Sequence, residues 1–394
     1  MLTISKIETL HADAGWRPWT FIKISTNDAT IVGWSECTDS HGSPRGIEGV
    51  VTDLTPLLIG KDPRTVSALV ELMQSRTRQS PGSIIQKAIG GIENALLDIK
   101  AKSLGIPVYE LFGGAYRTEL PLYWSHCGTS RVRAATIINK PAITSPKDIP
   151  AFAKEVNASG YRAIKTNIAV FGSEPFVYMP GFAKSTGGPE RNADTTTLRH
   201  IESWIETLRT HLSTDIDIIL DLNFNFKTEG YITIGRMLEK YKLHWLEIDS
   251  YDPEALRMIK DSIATPIASC ENLYGARQYK PYFERHAMDI ASVDVIWNGL
   301  SESLKIASIA DTYEMNVTPH NYNGHLSTFI SAQFCALIPN LRTMEVDVDD
   351  VPWRNELFTR LPEIKDGKLK LPTVPGWGTE VNEEVLRKHP WPKA

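Results

Sequence analysis

The sequence predicts an α/β chain, a modified (β/α)8 TIM-type barrel that carries an α+β capping domain. Two observations point there. The first is the stretch Ile218-Ile219-Leu220-Asp221-Leu222-Asn223, an apolar run that ends in an acid and, two residues on, an amide. In a buried strand, side chains alternate between faces, so Asp221 and Asn223 are delivered to one place at its C-terminal end. The second is repetition. Trp245-Leu246-Glu247, Ile267-Ala268-Ser269-Cys270-Glu271, Ala291-Ser292-Val293-Asp294, Val317-Thr318-Pro319-His320 and Arg342-Thr343-Met344-Glu345 share that form, and from Asp221 the steps are 26, 24, 23, 26 and 25 residues. A strand, a helix and two short loops occupy about that length, since a βαβ unit takes roughly 30 residues. One such run alone reads as a strand entering an Asp turn. Six in succession read as a repeated βα unit with an ionisable group at the end of each strand, the end where barrels of this class carry their active sites.

Composition narrows the class. The chain has 394 residues, 42% hydrophobic and 23% charged, with a formal net charge of -5. That is ordinary for a globular chain, and it offers no basic surface for nucleic acid. The start, Met1-Leu2-Thr3-Ile4-Ser5-Lys6, lacks the sustained apolar core of a signal peptide. The longest charge-free stretch, His320 to Leu341, is interrupted by His, Asn, Ser and Gln, so no membrane span is expected. Cys37, Cys127, Cys270 and Cys335 are scattered without metal-site spacing. Free buried thiols in a cytoplasmic protein are the expectation.

Taken in order, residues 1–118 lack the repeat and predict the cap. Thr20 to Ser25 and Ala29 to Trp34 predict paired strands around Thr26-Asn27-Asp28. Ile85, Ile89, Ile92, Leu96 and Ile99 keep helical spacing, and Gly105 suits the helix end. Two cap stretches, His11 to Arg17 and Ser35 to Ser43, predict loops that close over a polar ligand. Residues 119–357 predict the barrel, with Leu120 to His126 as strand one and Tyr161 to Asn167 as strand two. The segment Gly172 to Asn192 exceeds an ordinary βα loop and predicts an active-site flap. Leu198, Ile201, Ile205, Leu208 and Leu212 then mark one face of a helix. Residues 358–394, rich in Pro and Gly, predict a segment returning to the cap.

The strand ends carry chemistry. Asp221, Glu247 and Glu271 end three successive units, and converging acids repel unless neutralised. A hard divalent cation resolves that repulsion, and Mg²⁺ suits a few carboxylates plus waters and substrate oxygens. For any one acid, capping of the following helix is a serious alternative. Asp294 and His320 end the next two strands, where a carboxylate orients an imidazole and raises its basicity. Lys165 could meet a substrate carboxylate or snorkel to solvent. Glu345 could donate a hydrogen bond if its pKa is raised.

The ordered set Lys165-Thr166-Asn167, Asp221-Leu222-Asn223, Glu247, Glu271, Asp294, Pro319-His320 and Glu345 resembles the enolase superfamily in its mandelate racemase subgroup, and the resemblance covers nearly the whole chain. It implies one Mg²⁺ per subunit on Asp221, Glu247 and Glu271, a dyad of Asp294 and His320, and Glu345 as an electrophilic acid. Relatives that racemise carry a second lysine where this chain has Asn167, and an amide exchanges no proton at neutral pH. One-base chemistry with a leaving group at the β carbon is dehydration. The resemblance therefore implies a hydro-lyase that converts an acid sugar, aldonate or aldarate, to a 2-keto-3-deoxy acid. A cycloisomerase, epimerase or racemase sharing the enediolate is the alternative, and a non-catalytic sugar-acid binder the third reading. Some related dehydratases carry a His where this chain has Asn223, so the acid for hydroxide departure is expected to be His126, or His320 acting twice. Trp16, Arg17, His41, Asn223 and Trp124 are expected to bind substrate. The resemblance also implies a homo-oligomer, dimer to octamer, with a small carboxylate as its partner.

Overall fold

The computed structural model describes residues 1–39, 42–180 and 191–391. Three antiparallel strands open the chain: β1 (Ile4–Asp13), β2 (Pro18–Thr26) and β3 (Val32–Glu36). The β2–β3 turn is closed by the Thr26 hydroxyl, which donates to the carbonyls of Asp28 and Ile31. β1 runs through His11, Ala12 and Asp13, the first residues of an expected loop, because each pairs with β2 in unbroken register down to Pro18. Two further helices, α1 (Pro44–Leu58) and α2 (Val66–Thr77), precede the long α3 (Ser83–Leu104). Ser43 starts α1 by accepting a hydrogen bond from the amide of Gly46. Gly105, at a φ of 71°, ends α3 in the left-handed conformation that glycine takes without strain.

The eight barrel strands are β4 (Glu119–Ser125), β5 (Ala163–Thr166), then, after a short hairpin of β6 (Ile168–Val170) and β7 (Phe176–Tyr178), β8 (Asp217–Asp221), β9 (Trp245–Glu247), β10 (Ile267–Ser269), β11 (Ile290–Val293), β12 (Asn316–Pro319) and β13 (Met344–Asp347). From β4 to β12 they are parallel neighbours in that order, β13 pairs back onto β4, and the gap between β12 and β13 is crossed by a single parallel bridge, Val317 to Leu341, just before β13. The helices between them are α4 (Thr129–Arg133), α5 (Ile149–Ala158), α6 (Thr195–His211), α7 (Thr228–Leu238), α8 (Pro253–Ser262), α9 (Gly275–Glu284), α10 (Val295–Asn298), α11 (Leu300–Thr312) and α12 (His325–Leu337). Inside the ring, Tyr123, Ala163, Ile219, Trp245, Ala268 and Ile290 form their own packed cluster. The Tyr123 and Trp245 rings meet edge to face at 5.6 Å, and the small Ala163 and Ala268 leave them room.

The final stretch serves both halves. A hairpin of β14 (Ile364–Lys365) and β15 (Lys368–Lys370) adds antiparallel to the start of β4. Farther on, the Trp377 amide donates to Asp98 and its indole to the Asn94 carbonyl, both on α3. The closing helix α13 (Glu383–Lys388) places Glu383 in an ion pair with Lys23 of β2. The division into 1–118, 119–357 and 358–394 stays our proposal. Among the described residues no helix is long and apolar enough to cross a membrane. The expected flap from Gly172 to Asn192 lies in part outside the described residues; its first part supplies the turn and the second strand, β7, of the β6–β7 hairpin.

Candidate active site

Alternation along the strands positions most of the site. Ile219 and Trp245 fill the barrel interior, so Asp221 and Glu247, two residues on, point inward at the C-terminal rim, and the two acids are directly paired in register. The same parity takes Ala163 to Lys165 and Ile290 to Asp294. Glu271 breaks the rule, standing an odd three residues past the interior Ala268. Between them Cys270 has a φ of +87°, and this left-handed turn re-phases the chain so that Glu271 reaches the cavity. His126 and Asn223, also cavity residues, sit at φ of +47° and +45°. A cavity of about 400 Å³ lies between this rim and the cap.

On one wall stand Asp221, Asn223, Asp249 and Glu271. Burial, then repulsion from Glu247, pushes the Asp221 carboxyl up to about 7. Burial and the neighbouring acids push Asp249 to about 8 and Glu271 well above the carboxylate range. Asp221 is aimed by two donors, the Asn223 amide at 2.9 Å and Asn167 Nδ2 at 3.2 Å. Glu247 accepts from Lys165 Nζ at 2.9 Å and from Trp245 Nε1 at 3.4 Å. Among the described residues no three acidic, imidazole or thiol side chains are already gathered for a metal ion. The donor chemistry nevertheless fits a hard divalent cation: every group on this wall offers oxygen, and the shared upward shifts of its acids come from burial first and then from their mutual repulsion.

Facing that wall is His320. Its Nδ1 lies 2.7 Å from Asp294 Oδ2, and its Nε2 lies 3.7 Å from Glu271. Burial lowers the imidazole, but the Asp294 contact outweighs it, and the net direction is upward. Asp294 is itself fixed, since its other oxygen accepts the Trp297 amide at 2.9 Å and caps α10. The pairing makes Nδ1 the donor and leaves Nε2 as the free lone pair toward the cavity.

Several expectations are corrected here. Lys165 does not snorkel; its Nζ lies between Glu247 and Glu345, at 2.9 and 2.7 Å. Burial alone would lower this ammonium, but the two acids hold it well above the usual lysine range. Glu345 is not a raised, protonated acid. Burial pushes it up, yet Lys165 and His320 more than reverse that, and it accepts from Ser125 Oγ and the Asn321 amide. Trp124 does not face the cavity. It points outward from β4 into the helix layer, packed on Phe152 and Tyr161, because Tyr123 and not Trp124 holds the inward parity. Arg17 is fully enclosed and pairs with Asp350 at 2.7 Å and Asp347 at 3.5 Å, behind Tyr322 rather than in the cavity lining.

Trp16 and Asn223 do line the cavity, and His41 lies outside the described residues. His126 lines it too, with Nδ1 3.1 Å from Ser125 Oγ; burial, then nearby cations, hold it well below the ordinary histidine range. The sequence reading missed Asp39, Lys87, Arg133, Asp249, Trp297 and Tyr322, all cavity residues. Asp249 and Tyr322 were within reach, as each lies two residues past a strand-end group already singled out. Lys87 also left a trace, a lone lysine amid the apolar start of α3.

A family model for the mandelate racemase / muconate lactonizing enzyme N-terminal domain matches residues 10–113, and one for the enolase C-terminal domain-like fold matches residues 148–385. The chain belongs to the mandelate racemase subgroup of the enolase superfamily. It is an enzyme of that superfamily, with the subgroup's cap over its barrel. It is similar to the D-xylonate dehydratase of Haloferax volcanii, at 28% identity over 98% of this chain and 88% of that one. The D-gluconate dehydratase of Thermoproteus tenax is 26% identical over 99% and 74% of the two chains. Among solved structures, a protein of Burkholderia xenovorans strain LB400, provisionally named an L-alanine-DL-glutamate epimerase and bound to magnesium and fumarate, is 43% identical. It superimposes with a TM-score of 0.96 over 99% of this chain and 96% of that one.

Proposed function

We propose that this chain is a Mg²⁺-dependent hydro-lyase acting on an acid sugar, aldonate or aldarate. The reaction breaks the C–H bond α to the carboxylate and the C–O bond at the β carbon, releases water, and yields a 2-keto-3-deoxy acid after the enol tautomerises. One observation carries this reading: the imidazole of His320 faces the acidic wall with its Nδ1 held by Asp294 at 2.7 Å, while the second-base position is the amide Asn167. Asp221, Glu247 and Glu271 would hold the ion. When bound, it lowers the cost of charge that gathers on the carboxylate oxygens as the α proton leaves.

The residues divide the remaining work. His320 Nε2 takes the α proton, and Asp294 holds the imidazolium that results. Lys165, kept protonated by Glu247 and Glu345, places positive charge beside the same oxygens and is no base in that state. Hydroxide leaves more easily with a proton. Burial holds the basicity of His126 well below that of an ordinary histidine, which disfavours it as donor, so His320 returning the proton it took is the reading we adopt. The dehydratase names of the Haloferax and Thermoproteus relatives support elimination, and the magnesium and fumarate of the Burkholderia relative support a metal beside a carboxylate.

Epimerisation is the second reading, favoured by the name given to that Burkholderia relative. A panel of aldonates and aldarates with Mg²⁺ separates the two. Formation of a 2-keto acid is expected. A product of unchanged mass with inverted C2 would displace dehydration in favour of epimerisation.

A further inference from the structure

The cations that line the cavity are matched to carboxylates, with one exception among the described residues. Lys165 is held by Glu247 and Glu345. Lys87 lies 2.8 Å from Asp39 and 3.8 Å from the Trp297 ring centre. Arg17, behind the lining, has Asp350. Arg133 is different. Among the described residues its Nη1 reaches only the Met179 sulfur at 3.6 Å, its Nε is buried without a hydrogen-bond partner, and no carboxylate pairs with it. Burial pulls the guanidinium below the usual arginine range, and the charges of Asp347 and Asp221, which act on it without pairing, do not make up the difference.

Position adds to this. Lys165 lies on strand β5 and forms part of the floor, held there by Glu247 of β9 and Glu345 of β13. Arg133 ends α4, beyond the C-terminal end of β4, so it stands above that floor while still lining the cavity. An acid sugar with its reacting carboxylate on the floor extends as a chain away from it. A fork of N–H donors on α4, above that floor, matches a second carboxylate, which guanidinium binds bidentately. A terminal CH2OH would offer it only neutral hydrogen bonds and leave the buried charge unpaired.

We propose that Arg133 receives the distal carboxylate of the substrate, so that the enzyme acts on sugar diacids, aldarates, in preference to aldonates. The inference rests on the dehydratase reading above and narrows it. It is tested with matched pairs, each an aldonate and the aldarate obtained by oxidising its terminal CH2OH, so that every other stereocentre is shared. The readout is kcat/KM for 2-keto acid formation with Mg²⁺, in the wild type, Arg133→Lys and Arg133→Met. The wild type is expected to favour the diacid by roughly 10- to 100-fold, the range a charged hydrogen bond supplies. Arg133→Met should bring that ratio to about one through loss on the diacid, with Arg133→Lys in between because it keeps charge but not the fork. A wild-type ratio at or below one, or a ratio that Arg133→Met leaves unchanged, overturns the assignment. If Arg133→Met does not fold, the wild-type ratio and the Arg133→Lys ratio decide. Dehydration of aldonates alone would sink Arg133 as anchor and leave the hydro-lyase standing. Turnover of neither member of any pair would instead sink the hydro-lyase, and this inference with it.

Discussion

His320 and Asn167 carry most of the chemistry at the scale of single residues. His320 has its Nδ1 committed to Asp294 and its Nε2 open, whereas Asn167 gives a hydrogen bond to Asp221 and serves to aim a carboxylate. His320→Asn should therefore abolish both dehydration and exchange of the α proton with solvent deuterium, a loss of about 10² to 10⁴ in rate. Asp294→Asn should impair the same step less, since the ring remains. Proton NMR in heavy water on matched C2 epimers checks this: one epimer should exchange. Similar exchange of both would mean a second base and would point to Lys165. The acidic wall makes its own prediction. Glu247→Gln removes one charge of the oxygen set, so Mg²⁺ affinity measured by calorimetry should fall, and most of the activity with it. Near-normal turnover by Glu247→Gln after chelation would remove the metal from the scheme.

Helix α3 is the element through which the cap meets the barrel. A Cβ on Gly90 would lie 2.7 Å from the Gly299 amide nitrogen and 3.0 Å from the Trp297 carbonyl oxygen, both backbone atoms that no rotamer change can move. The glycine is there to let α3 touch the α10–α11 turn, and Lys87, one helical turn earlier, reaches the cavity because of that closeness. Gly90→Ala is expected to cost about 1 to 3 kcal/mol, as overpacking does, and to raise KM more than it lowers kcat. Urea denaturation and steady-state kinetics measure the two effects. Unchanged stability would mean the contact yields easily and does not hold Lys87 in place.

Across the whole molecule, the junction of cap and barrel is tied by buried carboxyls. Glu36 of β3 accepts from the amides of Gly324 and Ser327 at the start of α12, and Glu93 of α3 accepts from the Ser301 amide at the start of α11. Burial pushes each carboxyl up to about 7, against the ordinary value of 4.5. A folded pKa above the unfolded one means that the folded chain holds more protons between those values. Stability should thus be fullest below about pH 4.5 as far as these groups go, and fall as pH rises through about 7. The effect is on the order of 3 kcal/mol for each group, at about 1.4 kcal/mol per pKa unit. Glu93→Gln keeps an oxygen for the Ser301 amide and removes the titration. It should flatten the decline between pH 5 and 8 in chemical denaturation. An unchanged slope would mean that Glu93 is ionised throughout.

The barrel was legible in the sequence because its rules are local. A period of two and a step of about 25 residues are written in neighbouring side chains, and they placed Asp221, Glu247, Asp294 and His320 at strand ends on the interior face. Helix α3 and its Gly105 end were legible for the same reason. The rest depended on residues far apart in the chain. Trp124 is one position from the correct parity, and only strand pairing told which neighbour faced in. The charge states of Lys165 and Glu345 follow from their meeting at 2.7 Å across 180 residues, and that of His126 from burial. Left-handed backbone at Cys270 brings Glu271 to the cavity, and no residue type announced it. Lys87 and Arg133 became parts of one site when the cap closed over the barrel mouth, leaving Arg133 the cavity's cation without a carboxylate among the described residues. Periodicity is set by the backbone and read along the chain. Partnership and desolvation are set by what the folded chain brings together, and only tertiary structure decides them.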